Sequence, residues 1–276
     1  MPINETSIYE IRERGQVVNA GCQWIAEHRK LAMSLAVRPI LILTAIEIVN
    51  ILFVKSILLS LIIALIGLLF VPTVPSMIMY VVENAEEYDY PNRQPKLLEL
   101  WSLWKGYLAS ALCIGIIGFV AAFLCSITIG GPIFIEVMQS IVLVHHHRNM
   151  DDGILTAISR AFTLSFANFP SLLFMLLGTC IITFAMVLGP CSFAFLFFEF
   201  ISSVIPHSVM EILNKMMDTE AYVSLGITIV VVGYFFSTMI SIIVAHFYYG
   251  HCIACENRRE AIKREKRRMR EAVHNS

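Results

Sequence analysis

"LGITIVVVGYFFSTMISIIVAHF" (Leu225–Phe247) runs for 23 residues with no charge ahead of His246. A helix of about 20 apolar residues spans the ~30 Å hydrocarbon core of a bilayer. The run is continuous rather than alternating, so it reads as a helix and not as a barrel strand. "ILLSLIIALIGLLFV" (Ile57–Val71) repeats the pattern. Across the whole chain of 276 residues, 57% are hydrophobic and only 15% are charged, with a mean hydropathy of +0.73. A soluble domain carries nearer a quarter of charged residues. The sequence therefore predicts an all-α, polytopic helical membrane bundle.

Chain breaks divide the apolar material. Residues 31–82 are too long for one crossing and break near Lys55-Ser56, giving spans at about 31–54 and 57–82, the second kinked by Pro72 and Pro75. A polar segment, Glu83–Trp101, follows. A third span at about 104–125 turns through "SITIGGP" (Ser126–Pro132) into a fourth at about 132–147, with Pro132 in its first turn. Asp151 or Asp152 is placed to cap a helix whose Leu155, Ile158, Phe162, Phe166 and Phe169 share a face. A fifth span runs from Pro170 to Gly189-Pro190, and the last covers about 223–249. Between them "CSFAFLFFEFISSVI" (Cys191–Ile205) is apolar but short, followed by a polar, helix-like stretch at 207–222. If 191–205 crosses there are seven spans; if it is re-entrant or interfacial there are six.

Lys and Arg collect on the cytoplasmic side of membrane proteins. With six spans and both termini inside, eighteen of the twenty Lys and Arg fall inside, and only Lys55 and Lys215 fall outside. A seventh span would strand the eight basic residues of the C-terminal segment on the wrong side. Six spans are therefore expected: 1–30 an amphipathic cytoplasmic helix, 31–250 the membrane domain and 251–276 a basic cytoplasmic helix. Trp24, Trp101 and Trp104 then fall near the inner interface, and no cleaved signal peptide is expected. Over 4–30, Ser7 and Glu10 have capping-box spacing, and Ile8, Ile11, Val18, Cys22 and Ile25 make an apolar stripe. Such a helix lies on headgroups, packs on a partner, or covers the base of the bundle. In the tail, Glu256–Arg259, Glu260–Arg264 and Glu265–Arg268 are spaced for pairing. Anionic lipid is a secondary partner for the tail. Its interleaved glutamates and lack of aromatics argue against nucleic acid.

Carboxylates inside a membrane are functional candidates, because each costs about 2.5–3.5 kcal/mol to insert. Glu47 with Asn50, Glu136 with Gln139, and Glu199 form that set. They read either as hydrogen-bonding glue between helices or as a transport or proton site. A second constellation is His251, Cys252 and Cys255, with His145, His146 and His147 ending span four on the same side. Zinc would need four such ligands in a tetrahedron. One Cys-x-x-Cys alone is weak, and these groups are expected not to meet. Cys113, Cys125, Cys180 and Cys191 read as small hydrophobes. The sequence holds no phosphate-binding glycine loop, no Gly-x-Ser-x-Gly, no His-Glu-x-x-His and no paired-carboxylate signature. No enzymatic activity and no cofactor are expected.

"AISRAFTLSFANFPSLLFMLLG" (Ala157–Gly178) resembles a pattern in uncharacterised bacterial six-span integral membrane proteins. There an Ala-x-x-Arg-x-Phe helix, matched here by Ala157, Arg160 and Phe162, precedes the fifth span. "FYYGHCIACE" (Phe247–Glu256) resembles their aromatic-then-glutamate ending. The layout is similar to the membrane region of some glycerophosphodiester phosphodiesterases and covers about the last four spans. The resemblance implies a bacterial inner-membrane location and no activity, the phosphodiesterase domain being absent. The leading expectation is a scaffold, regulator or envelope-maintenance protein with a cytoplasmic protein partner or a second copy of itself. The alternative is a small-molecule carrier or channel using the intramembrane carboxylates.

Overall fold

Apolar runs become helices wherever a computed structural model describes the chain, which is at residues 9–13, 15–29, 41, 44–54, 56–70, 97–128, 130–149, 151–204 and 219–274. No strand occurs among them. α1 is Gln16–Glu27. Helical residues 44–49 run into a π-helical turn, Asn50–Val54. α2 is Ile57–Phe70, and α3 is Leu97–Leu124, closed by a 3-10 turn at Cys125–Ile127. α4 is Gly131–Arg148, α5 is Ile154–Ala167, α6 is Phe169–Val204 and α7 is Thr219–His274. Among the described residues three helices are long and apolar enough to cross a membrane: Ala109–Ile127 at the end of α3, Phe169–Met186 in α6 and Glu220–Glu271 in α7.

Local chemistry sets several of these boundaries as expected. The break at Lys55-Ser56 starts α2, where the Leu59 N–H donates to Ser56 Oγ at 3.3 Å and so occupies one of the free amides of the first turn. Pro132 sits in the first turn of α4, where its missing N–H is no loss. Pro170 is likewise the second residue of α6.

α4 and α7 form the centre. Residues 140–147 of α4 and 241–252 of α7 are buried throughout. α7 packs against α1, α2, α4, α5, α6 and the π-helical turn, so it is the spine of the fold. The surrounding helices turn apolar side chains outward, as Leu58 and Leu61 on α2, Phe123 on α3 and Ile181 and Phe184 on α6 show. An apolar rim around a packed centre belongs in lipid rather than in water.

Four expectations are corrected. First, the amphipathic helix does not occupy 4–30: residues 9–13 are non-helical, and α1 starts after Gly15. The reason is tertiary, because the Arg12 N–H donates to His251 Nδ1 at 3.0 Å and straps 9–13 onto α7. Ser7 lies outside the described residues. α1 buries Val17, Gly21 and Trp24 against α7 and α6, so it covers the bundle rather than lying free. Trp24 is a core residue, 5% exposed and stacked on His28 at 4.6 Å, not an interface anchor.

Second, the helix expected to end at Gly189-Pro190 does not stop there. α6 continues through them for 36 residues, about 54 Å, and takes in 191–204. A proline is tolerated inside a membrane helix where neighbouring helices, hydroxyl side chains or a local change of helix pitch re-satisfy the freed backbone groups. Third, the face shared by Leu155, Ile158, Phe162, Phe166 and Phe169 is covered only in part. Ile158 and Phe162 pack against the core, while Leu155 is 80% exposed and Phe166 and Phe169 are exposed; the fully buried residues of α5 are Ala157, Ala161, Leu164 and Ser165. Small residues let two helices approach closely. Fourth, neither Asp151 nor Asp152 caps α5. Gly153 holds that position without a side-chain bond, and Asp152 Oδ2 accepts from His145 Nε2 at 3.1 Å instead.

The tail pairs also differ. Glu260–Arg264 forms at 3.4 Å, but Glu256 turns to Arg160 of α5 at 2.6 Å. Arg259 donates to the Ala167 carbonyl and to Asn168 Oδ1, both at 3.0 Å, closing the end of α5. Residues 30–40, Lys55, the Pro72 and Pro75 kink, 83–96 and 205–218 lie outside the described residues, as do the side chains of Trp101, Trp104, Cys191 and Glu199. The six described cysteines, Cys22, Cys113, Cys125, Cys180, Cys252 and Cys255, are all free thiols.

Candidate functional site

Glu47 and Asn50 are 4% and 1% exposed, and both face α2 and α7. Asn50 Nδ2 donates to Glu47 Oε2 at 3.3 Å and to Ser60 Oγ at 2.5 Å. The Ser60 hydroxyl lies 3.0 Å from Glu47 Oε2 and 2.8 Å from Ser224 Oγ of α7. The π-helical turn beginning at Asn50 widens the backbone at this point, a distortion often found at functional sites. Beside the cluster, lined by Thr44, Glu47, Ala64 and Thr228 among others, is a cavity of about 10 Å³. That is at most the room for one water. Here the carboxylate joins three helical segments through hydrogen bonds in a dry, packed interior.

Glu136 is 4% exposed and faces α7 alone. Its Oε1 lies 3.4 Å from Ser237 Oγ, 3.3 Å from Thr238 Oγ1 and 3.3 Å from Ser241 Oγ. Thr183 of α6 reaches the same Ser237 hydroxyl. Gln139, one turn on, turns away toward α3, where a side chain at Gly118 would collide with its amide. The two glutamates do not share a site. Ser224 and Ser237 are thirteen residues apart on α7, which is about 20 Å along the helix. Glu199 lies within α6, but its side chain is outside the described residues.

The histidines and cysteines sit at the end of the bundle where the tail leaves. α4 and α7 are neighbours there, yet their ligand-type residues look in different directions. His145 Nδ1 is 3.0 Å from the Tyr249 hydroxyl, and His246 Nε2 is 2.8 Å from Arg148 Nη2. Arg148 also lies over the Tyr9 ring at 4.8 Å, a cation–π contact. His251 faces the non-helical segment 9–13 and α6: it accepts from the Arg12 N–H, and its Nε2 lies 3.3 Å from Ser171 Oγ. Cys255 Sγ is 3.7 Å from His251 Nε2. His146 and His147 are each 8% exposed. Among the described residues no group of three or more His, Cys, Asp or Glu is arranged to hold a metal. Burial also pushes the Cys252 thiol up to about 12 and raises the Cys255 thiol.

The hydrogen bonds at His251 make its tautomer consequential. An Nδ1 that accepts from Arg12 carries no proton, so the strap needs a neutral ring. Burial lowers the His251 pKa from 6.5, and the nearby Arg12 and Arg259 lower it further. A histidine with a depressed native pKa contributes its full stability above pH 6.5. The contribution falls as pH drops below 6.5 toward the native value. Thermal melts of the purified protein should show Tm falling between pH 7.5 and 5.5. A His251→Gln variant should lose that part of the dependence. An unchanged pH profile in the variant would exclude this residue as the source.

No protein family, no curated protein and no solved structure matches this chain. The reading rests on its own residues. Sequence reasoning found both buried carboxylates but missed what surrounds them: Ser60, Thr183, Ser224, Ser237, Thr238 and Ser241. A signal was present, since Ser237, Thr238 and Ser241 fall on adjoining faces of an otherwise apolar span.

Proposed function

We propose that the chain is a non-catalytic, multi-pass inner-membrane protein of about six spans with both termini cytoplasmic, and that it presents a rigid basic helix to a soluble partner. The observation that carries this reading is the unbroken α7, whose 56 residues run from the apolar spine into the basic tail without a joint. The tail continues for about 36 Å beyond Gly250. Charges near its tip are held several Debye lengths from the headgroups, so anionic lipid is a weaker occupant than a soluble one. Lys263, Lys266 and Arg270 recur at helical spacing on an exposed face, beside Ile262 and Met269, which are 43% and 58% exposed. A basic stripe beside an apolar ridge fits an acidic groove on a protein.

Continuity of α6 through 191–204 supports six spans over seven, because that segment prolongs the fifth span instead of making another. The Arg160–Glu256 pair joins the two segments on which the resemblance to bacterial six-span proteins is read. The glycerophosphodiester phosphodiesterase likeness remains one of layout. A carrier or channel is the second reading, favoured by the hydroxyl ring around Glu136.

Reporter fusions test the topology. Those after Lys55, Thr128 and Lys215 should read outside, and those after Tyr90, Met150 and Ser276 inside. An outside signal at Ser276 would sink the six-span reading. Copurification after mild detergent extraction tests the scaffold. Reversing Lys263, Lys266 and Arg270 to glutamate should release the bound protein, and a wild-type chain that purifies with nothing attached would count against it.

A further inference from the structure

Where α4 meets α7, one carboxylate oxygen and three hydroxyl oxygens converge. We propose that Glu136, Ser237, Thr238 and Ser241 form a binding site for a sodium ion. A carboxylate oxygen offers about two lone-pair positions, yet Glu136 Oε1 faces three hydroxyls. Hydroxyls donating to an ionised carboxylate close to about 2.5–2.7 Å, but these three stand at 3.3–3.4 Å. That separation suits oxygens sharing an ion. Hard cations of calcium's size hold oxygens at about 2.3–2.6 Å, which at octahedral angles places neighbouring oxygens about 3.3–3.7 Å apart. Thr183 Oγ1 of α6 is in short contact with Ser237 Oγ, which places a further hydroxyl beside the cluster.

Charge selects the ion. Among the described residues no Lys, Arg or His pairs with Glu136. A carboxylate ionised at this depth is neutralised by one positive charge. Sodium has nearly the radius of calcium and carries that single charge. The inference stands apart from the scaffold reading, and the copurification experiment does not bear on it.

The test is the melting temperature of the purified full chain in detergent at constant ionic strength, with sodium chloride replaced by potassium or choline chloride. Sodium should raise Tm by about 3–6 °C for each tenfold beyond half-saturation, and choline should not raise it. Glu136→Gln should abolish the response, and Glu47→Gln should keep it. Ser241→Ala, which removes only a hydroxyl and decides the matter if Glu136→Gln fails to fold, should raise the half-saturating sodium at least tenfold. An identical rise in potassium or choline, a response surviving Glu136→Gln, or a Ser241→Ala response equal to wild type would each overturn the site.

Discussion

Ala254→Pro should uncouple the tail from the bundle and cost about 3 kcal/mol or more. Ala254 lies inside the continuous α7, just below the strap at His251 and just above the contacts to α5. Proline there removes the amide that bonds the Gly250 carbonyl, and its ring collides with that carbonyl. Two links below the kink then lose their register: Glu256 with Arg160, and Arg259 with the end of α5. The ion pair is partly solvated and contributes about 1 kcal/mol or less, so most of the loss is backbone. Trypsin added to inside-out vesicles should cut the variant tail at least about tenfold faster, which corresponds to about 1.4 kcal/mol in the opening equilibrium. Equal cutting rates and an unchanged Tm would mean that the continuous helix transmits nothing from membrane to tail.

Gly21→Leu should expel α1 from the bundle. A Cβ at Gly21 would lie 2.8 Å from Val244 Cγ2 and 3.0 Å from the Val244 Cα, so backbone as well as side chain blocks it. On the adjoining contact Val18 sits on Gly178 of α6, where an added Cβ would also be tight at 3.1 Å. Overpacking of this kind costs about 1–3 kcal/mol when neighbours relax; here α1 detaches because it is held by one narrow face, Val17, Gly21 and Trp24. A lower Tm, together with new alkylation of Trp24→Cys introduced into the Gly21→Leu background, is the expected result. Protection of that cysteine equal to its protection in Trp24→Cys alone would show that α1 stays seated.

The expectations that failed did so for one kind of reason. The stripe of bulky residues on α5 was legible, but not how much of it is covered; the structure packs Ile158 and Phe162 on the core, buries Ala157 and Ala161 fully and turns Leu155 outward. In lipid the outer solvent is apolar too, so burial no longer sorts large hydrophobes from small ones and close packing decides. Gly189-Pro190 looked like a stop because in water it would be one. Asp152 looked like a cap because its competing partner, His145 on α4, is not visible from local sequence.

By itself the sequence determined the class of object. Continuous apolar runs predict helices, three of which among the described residues are long and apolar enough to cross a membrane; the Ser56 and Pro132 boundaries follow from local backbone chemistry, and Glu47 and Glu136 stand out because a charge among apolar residues is costly. What only the tertiary structure decided is which groups share a neighbourhood. It separated Glu136 from Gln139, kept the histidines of α4 from the cysteines of α7, and gathered Ser237, Thr238 and Ser241 onto one carboxylate. The physical reason is that spacing along a helix fixes the face a residue occupies, while the rotation and height of each helix against its neighbours come from packing of small residues and from hydrogen bonds formed across them.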